Sequence, residues 1–198
     1  NRRRHPPLRR VPSGMHSGET DVILGLDLSL TATGWATIHP DGTTQTGTIP
    51  DIGSGAHIAD RLDTWGRHLS YIIRDACDAA ADRRISIYVE DLAGNQRGAF
   101  ELGMIHATFW SELTTEIRRR TTMVNASTLK TYATGKGNAS KALVLVEAVK
   151  RLGYDGCDDN EADALWLADM GARIHGWDRP DLPASHLKAL DKIKKANT

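Results

Sequence analysis

An acid set inside an apolar run is the first chemical signal in the sequence. Asp27 lies between Leu26 and Leu28 in the segment VILGLDL at 22–28, which reads as a strand buried on both faces. A carboxylate held there needs a partner, because an unpaired buried charge is costly, and a bound divalent cation is one solution. Read alone, Asp27 also fits a strand-end acid bonding a turn. Glu90 ends a second apolar segment and is followed at once by Asp91; by itself it equally fits a polar residue where a strand surfaces. The third signal is DDNEADAL at 158–165, where Asp159 and Asp163 are four apart and Asn160 and Asp163 three apart, spacings that share one face of a helix. Capping of that helix by Asp158 or Asp159 is the ordinary alternative, since acids suit a helix N-terminus. Glu161 falls off the shared face and is expected to point to solvent. Taken together, strand acid, strand acid and helix acid suit hydrolysis of a phosphodiester by two hard cations, Mg²⁺ or Mn²⁺, about 4 Å apart. One would lower the pKa of the attacking water and the other would stabilise the departing 3′ oxygen.

The elements that must position these acids follow from periodicity. VILGLDL is the first strand, Gly34 to Ile38 the second, and the turn PDG at 40–42 leads into a third through Thr48, so three antiparallel strands open the domain. Ile58, Leu62, Trp65, Leu69, Ile72 and Ile73 recur at helical spacing and predict an amphipathic helix over 58–82. Ile85 to Val89 is rich in β-branched residues and is expected beside the first strand by a parallel crossover. A helix is expected from about Gly98 to Arg119, a strand at 121–125, a brief helix at 127–133 and a loop GKGN at 135–138. Leu143, Val146, Val149 and Leu152 then mark one apolar helix face ended by Gly153, and a last helix runs from near Asp159 to about His175. Small Ala162, Ala164 and Ala168 would let that helix approach a sheet closely. The order is mixed α/β with no internal repeat.

With 198 residues the chain holds one catalytic domain, expected over 21–177, between a basic, disordered tail at 1–20 and a basic tail at 178–198. Charge balances at zero overall, but the first 20 residues carry five arginines, Arg2, Arg3, Arg4, Arg9 and Arg10, against Glu19 alone. The C-terminal stretch adds Lys188, Lys192, Lys194 and Lys195 against Asp191. Such stretches read either as arms that touch a polyanion or as solvated tails. A 40% hydrophobic fraction is ordinary for a globular protein, and no apolar run approaches the ~20 residues of a membrane span. The arginine-rich start, with no apolar segment behind it, reads against a secretory signal and for a cytoplasmic protein. Cys77 and Cys157 lie far apart, lack the companions of a zinc site, and read as ordinary thiols.

These residues resemble the RuvC family of Holliday junction resolvases, in the RNase H-like superfamily, and a phage or bacterial member of it. The match spans most of 22–172. GLDLSLTATGWA at 25–36 resembles the family's first-strand motif, with an acidic metal ligand at Asp27 and a glycine at Gly34. VED at 89–91 resembles its second acidic strand, and NQRGAFELG at 95–103 the helix start behind it. TGKGNASK at 134–141 resembles a glycine-rich loop and lysine that lie near the DNA backbone, and NEADAL at 160–165 its final acidic helix, with Asp163 as ligand. Three residues before Asp163, where the family carries an acid or histidine, this chain has Asn160; either its carbonyl oxygen or the carboxylate of Asp159 completes the set. After the second acid, where some relatives stack an aromatic on a base, stand Leu92 and Ala93, so that stacking is either missing here or falls to Phe100 or another residue.

The resemblance implies an α/β, RNase H-like fold with a mixed five-stranded sheet, three antiparallel strands then parallel ones, flanked by helices. It implies a crossover junction endodeoxyribonuclease with two Mg²⁺ or Mn²⁺ ions per site, acting on branched DNA as a homodimer in recombination and repair. Phe100, Leu102, Ile105, Phe109 and Trp110 would serve both core and dimer seam. Lys130, Lys136 and Lys141 are the candidate phosphate contacts, with Lys141 also placed to stabilise charge in the transition state; surface lysines are the ordinary alternative. Arg118, Arg119 and Arg120 suit a helix C-terminus. The same acids would serve a ribonuclease acting on RNA–DNA hybrids, and a junction-binding protein without catalysis would keep the fold alone. The first-strand motif also resembles a phosphate loop of actin-like ATPases, whose two lobes do not fit in 198 residues.

Overall fold

The computed structural model describes residues 22–51, 53, 55–80, 84–92 and 99–196. The N-terminal arginines, Ala93 and the NQRG part of the expected helix start lie outside the described residues. Five strands form one sheet: β1 (Val22–Asp27), β2 (Ala32–Ile38), β3 (Thr44–Pro50), β4 (Ile85–Glu90) and β5 (Thr121–Val124), in the order β3-β2-β1-β4-β5. β1, β2 and β3 pair antiparallel, while β1–β4 and β4–β5 pair parallel. This is the expected mixed arrangement, with β2 and β3 each extending about two residues past the sequence reading.

Side chains alternate across a strand, so each strand feeds two layers. Val22, Leu24 and Leu26 of β1, with Ile85, Ile87 and Val89 of β4, pack on one face against α1 (Ile58–Ala79) and α2 (Ala99–Glu112) through Trp65, Leu69, Ile73, Ile105 and Phe109. Burying side chains of this size contributes about 1.5–3 kcal/mol each. Ile23, Ala36, Ile38 and Tyr88 face the other way, onto a layer built from α4 (Ala126–Thr134), α5 (Lys141–Glu147), α6 (Asp159–Ile174) and α7 (Ala184–Ala196). Asp27 is in phase with Ile23, and Glu90 with Tyr88, so both acids belong to the α6 side.

α6 crosses the middle of the sheet, and Ala162 through Ala172 are all buried. Its closeness depends on glycine. A Cβ on Gly25 would stand 2.0 Å from the Ala164 carbonyl oxygen, and one on Gly34 2.0 Å from the carbonyl oxygen of Asn160. Ala164 and Ala168, expected as the small residues of this approach, lie at the contact.

Four expectations need correction. The helix expected over 98–119 breaks after Glu112; Thr114 caps a separate α3 (Thr115–Arg119) by accepting from the Ile117 amide at 3.3 Å, and Leu113 in the break is buried. Leu143, Val146 and Val149 do not form the inward face: Val144 of α5 and Ala148, which opens a π-helical turn over Ala148–Leu152, are the buried residues, and the three are 37%, 42% and 47% exposed. The stretch 178–198, expected as a basic tail, carries α7, whose Ala189, Leu190 and Ile193 are buried beside α4. Charge hid the apolar spacing there. His186 Nδ1 lies 2.8 Å from the Tyr132 carbonyl oxygen, and the Tyr132 hydroxyl donates to Asp169, fully buried and paired to Arg179 Nε at 2.6 Å. Lastly, Glu161 is not directed to solvent; its carboxylate accepts from Thr46, Thr48 and Tyr154 hydroxyls at 2.8, 3.1 and 3.1 Å.

No helix among the described residues is long and apolar enough to cross a membrane. Cys77 and Cys157 are not joined in a disulfide.

Candidate metal and phosphate site

Strand register brings the first two acids together. Leu26 pairs with Val89, so the next residues, Asp27 and Glu90, end neighbouring parallel strands side by side on the α6 face. Gly34 is the partner of Asp27 across β2, and because it has no side chain the first turn of α6 lies directly over it. That turn starts correctly because Asp158 caps it, accepting from the amides of Asn160 at 2.8 Å and Glu161 at 3.1 Å. Capping thus falls to Asp158, and Asp159 and Asp163 are left to the site.

Their surroundings disfavour the charged forms. Burial, then the charges of Glu90 and Asp163, hold the Asp27 carboxyl well above the usual carboxylate range. Burial, with Asp163 beside it, pushes Glu90 up to about 7. Asp163, 5% exposed, is pushed up to about 6, first by burial and then by Asp159. Sequence distances of 63 and 73 residues have therefore closed into one electrostatic cluster.

Lys141 supplies the local countercharge. It is the first residue of α5, set by the Ser140 hydroxyl that caps the helix, and its stem reaches back over the acids. Its Nζ lies 3.9 Å from Asp27 Oδ2, 3.6 Å from Asp159 Oδ2, 3.6 Å from Asp163 Oδ2 and 3.2 Å from Asn160 Oδ1. Burial works against its charge, but the four carboxylates Asp27, Asp163, Asp159 and Glu90 outweigh it and raise its pKa. Lys130, half-buried on α4, also acts on Glu90 and Asp163, favouring their ionised forms. Lys136 is not drawn in; it is exposed on the loop and makes no ion pair with the cluster.

The donor set is all oxygen, from Asp27, Glu90 and Asp163 with Asp159 and Asn160 alongside, the chemistry hard dications prefer. Two ammonium groups against four carboxylates leave the cluster short of positive charge, which a dication would supply. No group of three or more acid, histidine or cysteine side chains among the described residues closes into a ready-made cage; the fit rests on donor chemistry and charge, with the Lys141 ammonium standing between the carboxylates.

One supporting residue escaped the sequence reading. Thr33, fully buried at the start of β2, donates to the Ser29 carbonyl at 2.6 Å and accepts from the Ser29 amide at 2.8 Å and Trp65 Nε1 at 2.9 Å. It ties the strand carrying Asp27 to α1. A threonine in a turn rich in Ser and Thr gave no cue that its partner would be a tryptophan 32 residues on. Phe100, by contrast, is 75% exposed and Leu92 is 39% exposed. Arg118 fills a structural place at its helix end, Nε donating to the Trp110 carbonyl at 3.0 Å.

No protein-family model matches the sequence, and no curated protein matches it. Solved structures do match. RuvC of Thermus thermophilus superposes with a TM-score of 0.61 at 16% identity, covering 81% of this chain and 99% of that one. The structure of T. thermophilus RuvC in complex with Holliday junction substrate gives 0.62 at the same 16% identity and the same coverage of 81% and 99%. The fold of this chain is accordingly the RuvC type of the RNase H-like architecture, as the resemblance implied.

Proposed function

We propose that this chain is a metal-dependent DNA endonuclease that resolves four-way junctions by hydrolysing phosphodiester bonds. The observation that carries the reading is the meeting of Asp27, Glu90 and Asp163 at one end of the sheet, their pKa values raised by burial and mutual repulsion, with Lys141 among them. Perturbed acids gathered on a shared edge point to a site that works on charge. The fold shared with a resolvase solved on its junction supports branched DNA as the substrate.

Asp27, Glu90 and Asp163, with Asp159 or Asn160, would hold two Mg²⁺ or Mn²⁺ ions. When bound, these ions supply activation of water for in-line attack on phosphorus and stabilisation of the departing 3′ oxygen. The chain's own residues do the rest. Lys141 and Lys130 offer positive charge to the scissile phosphate, and Lys141 is close enough to the acids to follow charge as it builds on the phosphoryl oxygens. Lys136, on its exposed loop, suits a flanking phosphate, where contacts position the duplex without reading sequence. Thr33 and the Gly34 contact keep Asp27 from shifting while the phosphate is bound. A four-way junction has two-fold symmetry, so two equivalent cuts call for a homodimer.

The test is nicking of an immobile synthetic four-way junction with Mg²⁺ or Mn²⁺, with EDTA, and with Asp27→Asn. Cleavage by the wild type alone, stopped by EDTA, with junction binding kept in Asp27→Asn, is the expected result. Cutting of an RNA–DNA hybrid and not of the junction would move the activity to a ribonuclease. Junction binding without cleavage under either metal would make the chain a non-catalytic binder.

A further inference from the structure

We propose that the Lys141 ammonium is a displaceable stand-in for a metal cation, holding the acid cluster together before metal arrives and competing with metal for it. The inference rests on the metal-dependent reading above and adds to it a second role for Lys141.

The geometry gives three reasons. First, one Nζ lies within 3.9 Å of carboxylate oxygens from Asp27, Asp159 and Asp163 and 3.2 Å from Asn160 Oδ1, the same oxygens proposed as ligands. A dication ligated at roughly 2.1 Å by those oxygens would stand within about 5 Å of Nζ, where the two like charges repel. Second, Lys141 begins α5, where the helix dipole disfavours a cation, and no acid stands in the first turn of that helix. Its placement is explained by the acids across from it and not by its own helix. Third, the two sides differ in burial. Asp163 and its neighbours from Ala162 to Ala172 are buried in the centre of the molecule, whereas the Lys141 side chain is 51% exposed on a flexible four-carbon stem. The ammonium can therefore swing toward solvent or a phosphate while the buried carboxylates of Asp27 and Asp163 stay in place; Asp159, 46% exposed, is the one acid of the set that shares its freedom.

The other charged groups that act on the cluster are Asp91, which follows Glu90 and acts on it, and Lys130 on α4. Asp91 is an acid and does not compete with a cation; Lys130 is the second ammonium. It acts on Glu90 and Asp163 but forms no ion pair within 4.0 Å with the acids that Lys141 touches, so it does not block the same oxygens.

The experiment is Mn²⁺ binding by calorimetry on the full chain without DNA, in wild type, Lys141→Met, Lys141→Gln and Lys141→Arg, paired with thermal unfolding before and after Mn²⁺. Removing the competing charge should tighten Mn²⁺ binding about three- to tenfold in Lys141→Met or Lys141→Gln, a size expected for one half-exposed charge, with Lys141→Arg near wild type. Metal-free Lys141→Met should melt below metal-free wild type, and Mn²⁺ should raise its melting temperature more. Equal or weaker Mn²⁺ binding in both neutral variants would overturn the stand-in role while leaving the metal site intact, as would a metal-free melting temperature that does not drop in either. Asp27→Asn checks that the measured ion sits at this site, and its binding should be lost. Absence of saturable binding in the wild type and every Lys141 variant would instead defeat the metal-dependent reading, and the stand-in with it.

Discussion

Glu90 shows most plainly how environment and chemistry are linked at the level of single residues. Burial, with Asp163 beside it, raises its pKa from 4.5 to about 7. A carboxyl raised in the folded state stabilises the fold fully below its unfolded pKa, and that contribution is lost as pH rises through the folded value. For Glu90 the window runs from about 4.5 to about 7. Metal-free wild type should therefore lose stability relative to Glu90→Gln as pH climbs through this range, because the amide never ionises. Melting temperatures of the two EDTA-treated proteins at intervals between about pH 5 and pH 8 check this; a gap independent of pH would remove Glu90 from the account. The same sign makes divalent metal bind better as pH rises, since ligation needs the ionised carboxylates. Asp27, Glu90 and Asp163 were legible as candidates because acids beside apolar strand residues and on a small-residue helix break the local pattern. Glu161 was misread for a physical reason: its partners Thr46 and Thr48 lie more than a hundred residues away on an edge strand, and helix geometry says nothing about them.

At the level of elements, the close crossing of α6 over β1 and β2 decides where the third acid sits. Gly34→Ala would put a methyl 2.0 Å from the Asn160 carbonyl oxygen, against backbone that cannot turn aside. The helix start must lift, taking Asp159 and Asp163 with it. The expected cost is about 1–3 kcal/mol in chemical unfolding, with cleavage falling further than stability alone explains; full activity in a folded Gly34→Ala protein would show that the crossing has slack. Strand alternation made β1 and β4 readable, and the alanines of α6 announced a close approach. α7 was not readable, because Leu190 and Ile193 are interleaved with lysines and their partner surface on α4 exists only after folding. The apolar face of α5 was misassigned because Leu143, Val146 and Val149 offer large apolar side chains at a spacing of three, whereas the fold buries Val144 and Ala148, four apart, and the small Ala148 gives little hydrophobic cue.

For the whole molecule, the proposed substrate sets a requirement that one chain cannot meet. Two symmetric cuts call for two copies arranged about a two-fold axis, so sedimentation at micromolar concentration should give twice the 21.7 kDa chain mass, with paired nicks on opposing strands of the junction. A monomer that nicks once and releases the junction would contradict the resolvase form of the proposal. Lying at the centre of the molecule, α6 also implies a gradient in how the acid-bearing wall and the lysine facing it breathe. Amides of Leu165 to Met170 should be among the last to exchange with deuterated solvent, opening only when the whole domain unfolds, while those at the tip bearing Lys141 trade hydrogens early. If the proposed activity holds, such a site would resemble a vice with one fixed jaw, the lysine side supplying the movement.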